Sequence, residues 1–174
     1  MLAKGDAAAA LSLQEKAVRL DPTNPSYLYN YGLYLDQLGR DAEAVPYYER
    51  AVAASGLSFE AMNNLALIET AAGHPDKAAA LLDRAAQANP DNDAAFMNRG
   101  SYRFGRRMWR EALEDFRTAE RLNPANALAH VESARTLMEL GRAEEALDEV
   151  GSALESDVHV ADAYAVLSVV YKKL

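Results

Sequence analysis

The chain has 174 residues, half of them hydrophobic, with 18 basic and 26 acidic side chains and a formal net charge of −8 at pH 7. This charge has the wrong sign for a protein that holds nucleic acid mainly through phosphate contacts, so we predict no nucleic-acid partner. The absence of cysteine excludes disulfides and thiolate metal sites. No apolar run approaches the roughly 20 residues of a membrane-spanning helix, and the first residues lack the core of a signal peptide. We therefore expect a cytoplasmic protein that does not insert into membranes.

Several residue types recur at intervals of 34 residues, which is the signature of a repeat protein. Gly39, Gly73 and Gly141 share one phase, and Arg107 fills the position between the last two. Small residues recur at three further phases: Ala10, Ala44, Ala78, Ala112 and Ala146; Ala17, Ala51, Ala85, Ala119 and Ala153; and Gly32, Ala66, Gly100 and Ala134. Small residues allow two helices to approach closely, and glycine can adopt the positive φ of a turn. Each unit is therefore predicted to be a helical hairpin.

The predicted elements start with a lone helix over residues 1–24, in phase with the second helix of a hairpin. Four full hairpins follow, over 25–58, 59–92, 93–126 and 127–160, and residues 161–174 form a lone first helix. Asn24-Pro25 and His74-Pro75 each place a capping residue before a proline at the first helical position. Pro46 falls inside a second helix, where we predict a slight kink.

The recurring motif is most complete in residues 25–58. Its members there are Leu28, Tyr31, Gly32, Leu35, Ala44, Tyr48 and Ala51. This spacing resembles that of the tetratricopeptide repeat family, and the resemblance covers the whole chain. It implies an all-α fold, a right-handed α-solenoid of helix-turn-helix repeats, which we predict to be a single solenoid over residues 1–174.

Both ends of the chain are out of phase with the repeats, because each holds half a hairpin. The last helix reads as apolar nearly all round, which is unlike the polar cap that usually closes a solenoid. We expect either that the chain is part of a longer repeat array or that it self-associates through this C-terminal helix.

The resemblance implies a concave groove, lined by the first helix of each hairpin, that binds a protein or peptide in extended form. The groove positions are Tyr29, Asn30, Leu33, Asn63, Asn64, Leu67, Asn98, Ser101 and Arg135. Asn30, Asn64 and Asn98 occupy one equivalent position, and their amides match the donors and acceptors of a peptide backbone. This ladder resembles the one in the repeat arm of O-linked N-acetylglucosamine transferases, although its fourth member here is Glu132. The alternative is a solvated polar position inherited through repeat duplication.

Two functions fit these features. The first is a protein-interaction scaffold that binds an extended segment in the groove. The alternative is the substrate-recruiting arm of a larger enzyme such as a glycosyltransferase. A carboxylate clamp for chaperone tails does not fit, because Asn98 stands where the clamp requires arginine.

Residues 93–126 hold seven of the 18 basic side chains. Arg106, Arg107, Trp109 and Arg110 form a possible docking patch for an acidic partner, since arginine binds carboxylates through two parallel hydrogen bonds. Arg99 and Arg103 fall at core-facing positions, where a buried charge needs a partner. We predict that Glu69 pairs with one of them.

Catalytic signals are weak. His74, His130 and His159 are too far apart in the repeat pattern to converge, and His130 takes the place of an aromatic packing residue. No glycine-rich phosphate loop is present. We therefore predict no enzymatic activity, no cofactor and no metal site.

Overall fold

The computed structural model describes residues 4–55, 58–157 and 161–173. Over these ranges the chain forms ten α-helices and no strand, which confirms the predicted all-α class. The helices are α1 Lys4–Leu20, α2 Pro25–Gln37, α3 Asp41–Ser55, α4 Phe59–Ala71, α5 Pro75–Ala88, α6 Asp93–Gly105, α7 Trp109–Leu122, α8 Ala127–Glu139, α9 Ala143–Ser156 and α10 Ala161–Lys173.

The first helices of the hairpins keep the phase of the sequence repeat. They begin at Pro25, Phe59, Asp93, Ala127 and Ala161, each 34 residues after the last. The first four are each followed by a second helix, and the two helices of each hairpin pack closely. The continuity of one solenoid over residues 1–174 stays a prediction, as does the kink at Pro46, which lies within the single helix α3.

The two predicted caps before proline differ. The Asn24 side chain accepts hydrogen bonds from the amides of Ser26 and Tyr27 at 3.1 and 3.3 Å, and so caps α2. The prediction for His74 is wrong, because its side chain makes no capping bond to α5. The imidazole lies 2.6 Å from the carboxylate of the buried Glu69 instead, an interaction that outweighs an exposed cap.

The tight turn inside each hairpin uses a residue with positive φ. Gly39, Gly73 and Gly141 have φ of 72°, 79° and 74°, and Arg107 adopts 61° at the equivalent place. A side chain in this region clashes with its own backbone at a cost of roughly 1–2 kcal/mol. The third full hairpin therefore carries local strain that the others avoid.

Replacing Arg107 by Gly should relieve this strain and raise the free energy of unfolding by about 1 kcal/mol, after the entropy that glycine adds to the unfolded chain. Chemical denaturation followed by fluorescence of the neighbouring Trp109 measures the change. The matched control is Arg106→Gly, because Arg106 has a φ of −92° and gains nothing from glycine. Equal effects of the two substitutions would contradict the strain.

The helices group into two compact units, Met1–Asn89 with α1 to α5 and Pro90–Leu174 with α6 to α10. The first unit has an apolar core centred on Leu28, Leu35, Tyr48 and Met62, each no more than 1% exposed. In the second unit the core is built around Phe116, Val131, Leu137, Val150 and Val170, all fully buried.

Inside each hairpin, a small residue of the first helix faces a larger one of the second, 16 positions later in sequence. A Cβ added at Gly32 would lie 3.0 Å from the Tyr48 ring, and one at Gly100 would lie 2.7 Å from the Phe116 ring. The other two hairpins carry Ala66 with Leu82 and Ala134 with Val150. Glycine thus stands opposite the aromatic rings and alanine opposite the aliphatic side chains.

The C-terminal helix α10 is only partly covered. Ala163, Val166 and Val170 are buried, whereas Tyr164, Val169 and Tyr171 are 53%, 54% and 64% exposed. Leu174 lies outside the described residues, as does His159. Helix α10 therefore has one apolar face that is buried and a second apolar face that is exposed, in line with the expectation that it is apolar nearly all round. Self-association through it stays a prediction.

Candidate peptide-binding groove

The first unit brings together two of the predicted groove residues at the start of α2. Tyr29 and Asn30 are half-buried and line a recess of about 470 Å³. The rest of its wall consists of Pro25, Ser26, Ser55, Ser58 and Glu60. Burial, followed by the nearby Glu60 carboxylate, raises the pKa of the Tyr29 hydroxyl above its ordinary value. The hydroxyl is therefore kept as a neutral donor and acceptor at physiological pH.

Asn64, on α4, is held in place by a short chain of hydrogen bonds. Its amide nitrogen donates to the Tyr48 hydroxyl at 3.2 Å, and that hydroxyl donates to a carboxylate oxygen of Asp36 at 3.4 Å. The Tyr48 ring is fully buried and lies 5.9 Å from the ring of Tyr29. The amide also interacts with the Tyr29 hydroxyl. The asparagine thus has a fixed orientation, and its amide oxygen is not used by these bonds.

Apolar side chains accompany the asparagines along the same face of the first helices. Leu67 is 64% exposed, while Leu33 and Asn63 are half-buried. These positions combine hydrogen-bonding amides with accessible hydrocarbon. Such a mixture suits a peptide better than it suits a purely polar ligand.

The second unit places Arg135 beside a separate recess of about 400 Å³. Phe104, Met138, Val166 and Val169 supply its apolar wall. The Arg135 guanidinium lies 5.8 Å from the centre of the Phe104 ring and 3.0 Å from Glu132. Glu132, the predicted fourth member of the ladder, is therefore committed to a salt bridge. Asn98 is half-buried and Ser101 exposed on α6.

In the predicted docking patch, the arginines are exposed to solvent and the tryptophan is packed against another ring. Arg106, Arg107 and Arg110 are exposed, whereas the Trp109 ring packs at 4.8 Å against Phe104. Arg110 also lines a recess with Arg117 and Arg142, but those two arginines both contact Glu145. Docking of an acidic partner here stays a prediction, and Trp109 acts as a packing residue.

The core-facing charges have partners inside their own units. Arg99 and Arg103 share the carboxylate of Asp115, at 2.6 and 2.9 Å, and Asp115 is 2% exposed. Glu69 contacts His74 and, at 3.6 Å, Lys77. The pair predicted between Glu69 and an arginine would join the two units and stays a prediction. The local partners were not foreseen.

A signal for Asp115 does exist in the sequence. Residues 16 apart face each other within a hairpin, and this position holds Tyr31 with Tyr47, Leu65 with Leu81, and Arg99 with Asp115. The first of these pairs is a T-shaped ring contact at 4.5 Å, and the third is the buried ion pair. Reading the repeats at a spacing of 16 as well as 34 identifies the partner of Arg99.

Comparison with known proteins agrees with this architecture. Two family models, both described as tetratricopeptide repeat, match the chain, one over residues 2–58, 42–93 and 63–107 and the other over 104–169. Together with the helical hairpins, these matches show that the chain belongs to the tetratricopeptide repeat family, whose members are protein-interaction scaffolds. A search of curated proteins found no match.

Solved structures share the fold at low sequence identity. YrrB, described as a TPR protein with an unusual peptide-binding site, has 23% identity and a TM-score of 0.74, with 98% of this chain and 85% of that chain covered. MamA has 22% identity and a TM-score of 0.77, covering 88% and 90%. A thermophilic TPR protein of Thermus thermophilus, TTC0263, has 22% identity and a TM-score of 0.70, covering 97% and 92%. Among the described residues, no helix has the length and apolar character to cross a membrane.

Proposed function

We propose that the chain is a scaffold that binds an extended peptide segment along its first helices. In this proposal Asn30, Asn64 and Asn98 hydrogen-bond the peptide backbone. The observation that carries it is the fixed amide of Asn64, which donates to the buried Tyr48 and retains further bonding capacity. An oriented amide costs little side-chain entropy on binding, so it favours recognition.

Apolar contacts supply the rest of the proposed affinity. Leu67 is exposed next to Asn64 along α4, and Tyr29 borders the recess beside Asn30. Backbone hydrogen bonds tolerate many sequences, whereas pockets for alternate side chains select among them. The expected ligand is therefore an unstructured segment with an apolar side chain at intervals, not a folded acidic domain.

Replacing Asn30, Asn64 and Asn98 together by Ala tests this proposal. Peptides are first selected from a library of unstructured sequences on the wild-type chain, and their affinities are then measured by fluorescence anisotropy. Each lost hydrogen bond contributes about 1 kcal/mol, so the triple variant should bind roughly 100-fold more weakly.

Two controls separate binding from folding. Gln87→Ala changes an exposed amide on α5, a second helix, and should leave affinity unchanged. Tyr48→Phe removes the hydroxyl that holds Asn64 without changing the groove residues themselves. Its effect on affinity should be smaller than that of Asn64→Ala. A triple variant that stays folded by circular dichroism and binds as tightly as wild type would refute the ladder.

The recruiting arm of a larger enzyme uses the same groove and stays a prediction. The peptide experiment tests both proposed functions, the scaffold and the recruiting arm, because each requires the asparagines to contact the bound segment.

A further inference from the structure

Three polar side chains of the unit Pro90–Leu174 occupy positions that are apolar in the first two full hairpins. They are Glu120, His130 and Glu149, contributed by α7, α8 and α9. In the earlier hairpins, Glu120 is equivalent to Val52 and Ala86, His130 to Leu28 and Met62, and Glu149 to Tyr47 and Leu81. The third full hairpin carries Phe96 at the position of His130 but already has an acid, Asp115, at the position of Glu149. Glu120 and His130 are therefore the polar residues peculiar to this place, where they meet Glu149.

The ligand atoms of these three side chains all lie within 4.8 Å of one another. His130 Nδ1 is 2.9 Å from Glu149 Oε2 and 3.8 Å from Glu120 Oε1. The side chains are only 14%, 18% and 13% exposed, in the order His130, Glu149, Glu120. The cluster is thus mostly screened from water.

The surroundings orient the cluster. The fully buried Ser133 donates its hydroxyl to Oε1 of Glu120, the same oxygen that faces His130. His130 Nε2 lies 3.3 Å from the carbonyl oxygen of Pro124, which accepts a hydrogen bond from an Nε2–H. Nδ1 faces carboxylate oxygens of Glu149 and Glu120, which can only accept, so either a proton on Nδ1 or a cation must lie between them.

This arrangement needs a positive charge, because without one the Nδ1 lone pair and the carboxylate oxygens would face one another as acceptors. A proton on His130 supplies one positive charge, whereas a divalent cation supplies two and uses the lone pair directly.

We propose that Glu120, His130 and Glu149 bind a divalent transition-metal ion of the zinc class. Imidazole nitrogen and carboxylate oxygen are both zinc ligands, and a carbonyl that holds the other ring N–H is the usual support for a metal-bound histidine. Ligand atoms around tetrahedral zinc are roughly 3.4 Å apart, so movements of about 1 Å in the two glutamates complete the site. Water would take the fourth position, as in other three-ligand zinc sites.

The ion would connect three successive helices that belong to two hairpins. It binds the folded chain and not the unfolded one, so it stabilises the fold by mass action. At an ion concentration about 100 times the dissociation constant, the melting temperature of the whole chain should rise by roughly 5–10 °C.

The test uses the full chain without a polyhistidine tag, freed of metal, and ZnCl₂ as the probe in competition with a chromophoric chelator. Wild type should bind one ion per chain, Glu149→Gln should bind at least tenfold more weakly, and the matched exposed control Glu144→Gln should bind like wild type. Mg²⁺, which prefers oxygen ligands, should not displace the zinc. Equal zinc affinity of wild type and Glu149→Gln would overturn the proposal.

A second measurement keeps the proposal testable if Glu149→Gln folds poorly. The chain has three histidines, so the variant with His74→Asn and His159→Asn leaves His130 as the sole imidazole. With ¹⁵N-labelled histidine, one equivalent of zinc should move the Nδ1 resonance to that of a metal-bound nitrogen while Nε2 keeps its proton. Unchanged resonances, or those of an imidazolium that zinc does not displace, would overturn the site.

Discussion

Replacing Asp115 by Ala should lower the free energy of unfolding by about 3–5 kcal/mol, the usual effect of removing one partner from a buried ion pair. Asp115 is 2% exposed and accepts hydrogen bonds from both Arg99 and Arg103. The guanidinium-bearing side chains are 17% and 22% exposed, so water can replace the lost carboxylate only in part. The substitution also removes packed atoms from the centre of the hairpin formed by α6 and α7.

Urea denaturation followed by tryptophan fluorescence measures this loss directly. Trp109 is the single tryptophan of the chain and begins α7, the helix that carries Asp115. Glu114→Ala is the matched control, because it removes an acidic side chain from the adjacent, exposed position. Its effect should stay within about 0.5 kcal/mol. A loss of similar size in both variants would show that general charge balance, and not the buried pair, is responsible.

Gly100→Val should lower the stability of the same hairpin by about 3 kcal/mol, the upper part of the range for overpacked cores. A Cβ at this position would lie 2.7 and 2.9 Å from two carbons of the Phe116 ring, and that ring is fully buried. The ring has no room to retreat, so the two helices must separate. The tryptophan signal of Trp109 again reports the change.

Gly151→Val is the matched control for this substitution. Gly151 lies inside α9, and a Cβ there meets nothing within 4 Å. Valine is a better helix former than glycine, so the control should gain a few tenths of a kcal/mol. Combining Gly100→Ala with Phe116→Leu reproduces the pair of Ala66 and Leu82, and the two changes should cost less together than the sum of their separate effects. Strict additivity would contradict direct contact.

The repeat period predicts the helices of this chain well, and the reason is physical. A spacing of 34 residues without insertion places every turn and every small residue in phase, so the starts of α2, α4, α6, α8 and α10 follow directly. Motif residues such as Leu28, Tyr48 and Ala51 are buried, as the resemblance implies. Fold class is thus set by many weak signals that agree.

Side-chain partners were harder to predict, because they depend on contacts between helices and not on the period. Arg99 was recognised as a buried charge in need of a partner, but Asp115 was overlooked because it looks like an ordinary surface acid of a second helix. His130 was assigned as a packing residue, although it contacts Glu149 from a polar cluster. Asn64 was interpreted either as a ligand contact or as a solvated polar position, yet it also supports the buried Tyr48.

The contacts between residues 16 apart are contained within single hairpins. Tyr31 meets Tyr47, Arg99 meets Asp115, and Gly100 lies against Phe116, each pair within one hairpin. A hairpin that is copied, deleted or moved to another place in the array would therefore keep its own pair of contacting residues. An aromatic, aliphatic or ionic pair can thus be replaced by another pair within one hairpin. The sequence of one repeat can then change while the neighbouring repeats keep their structure.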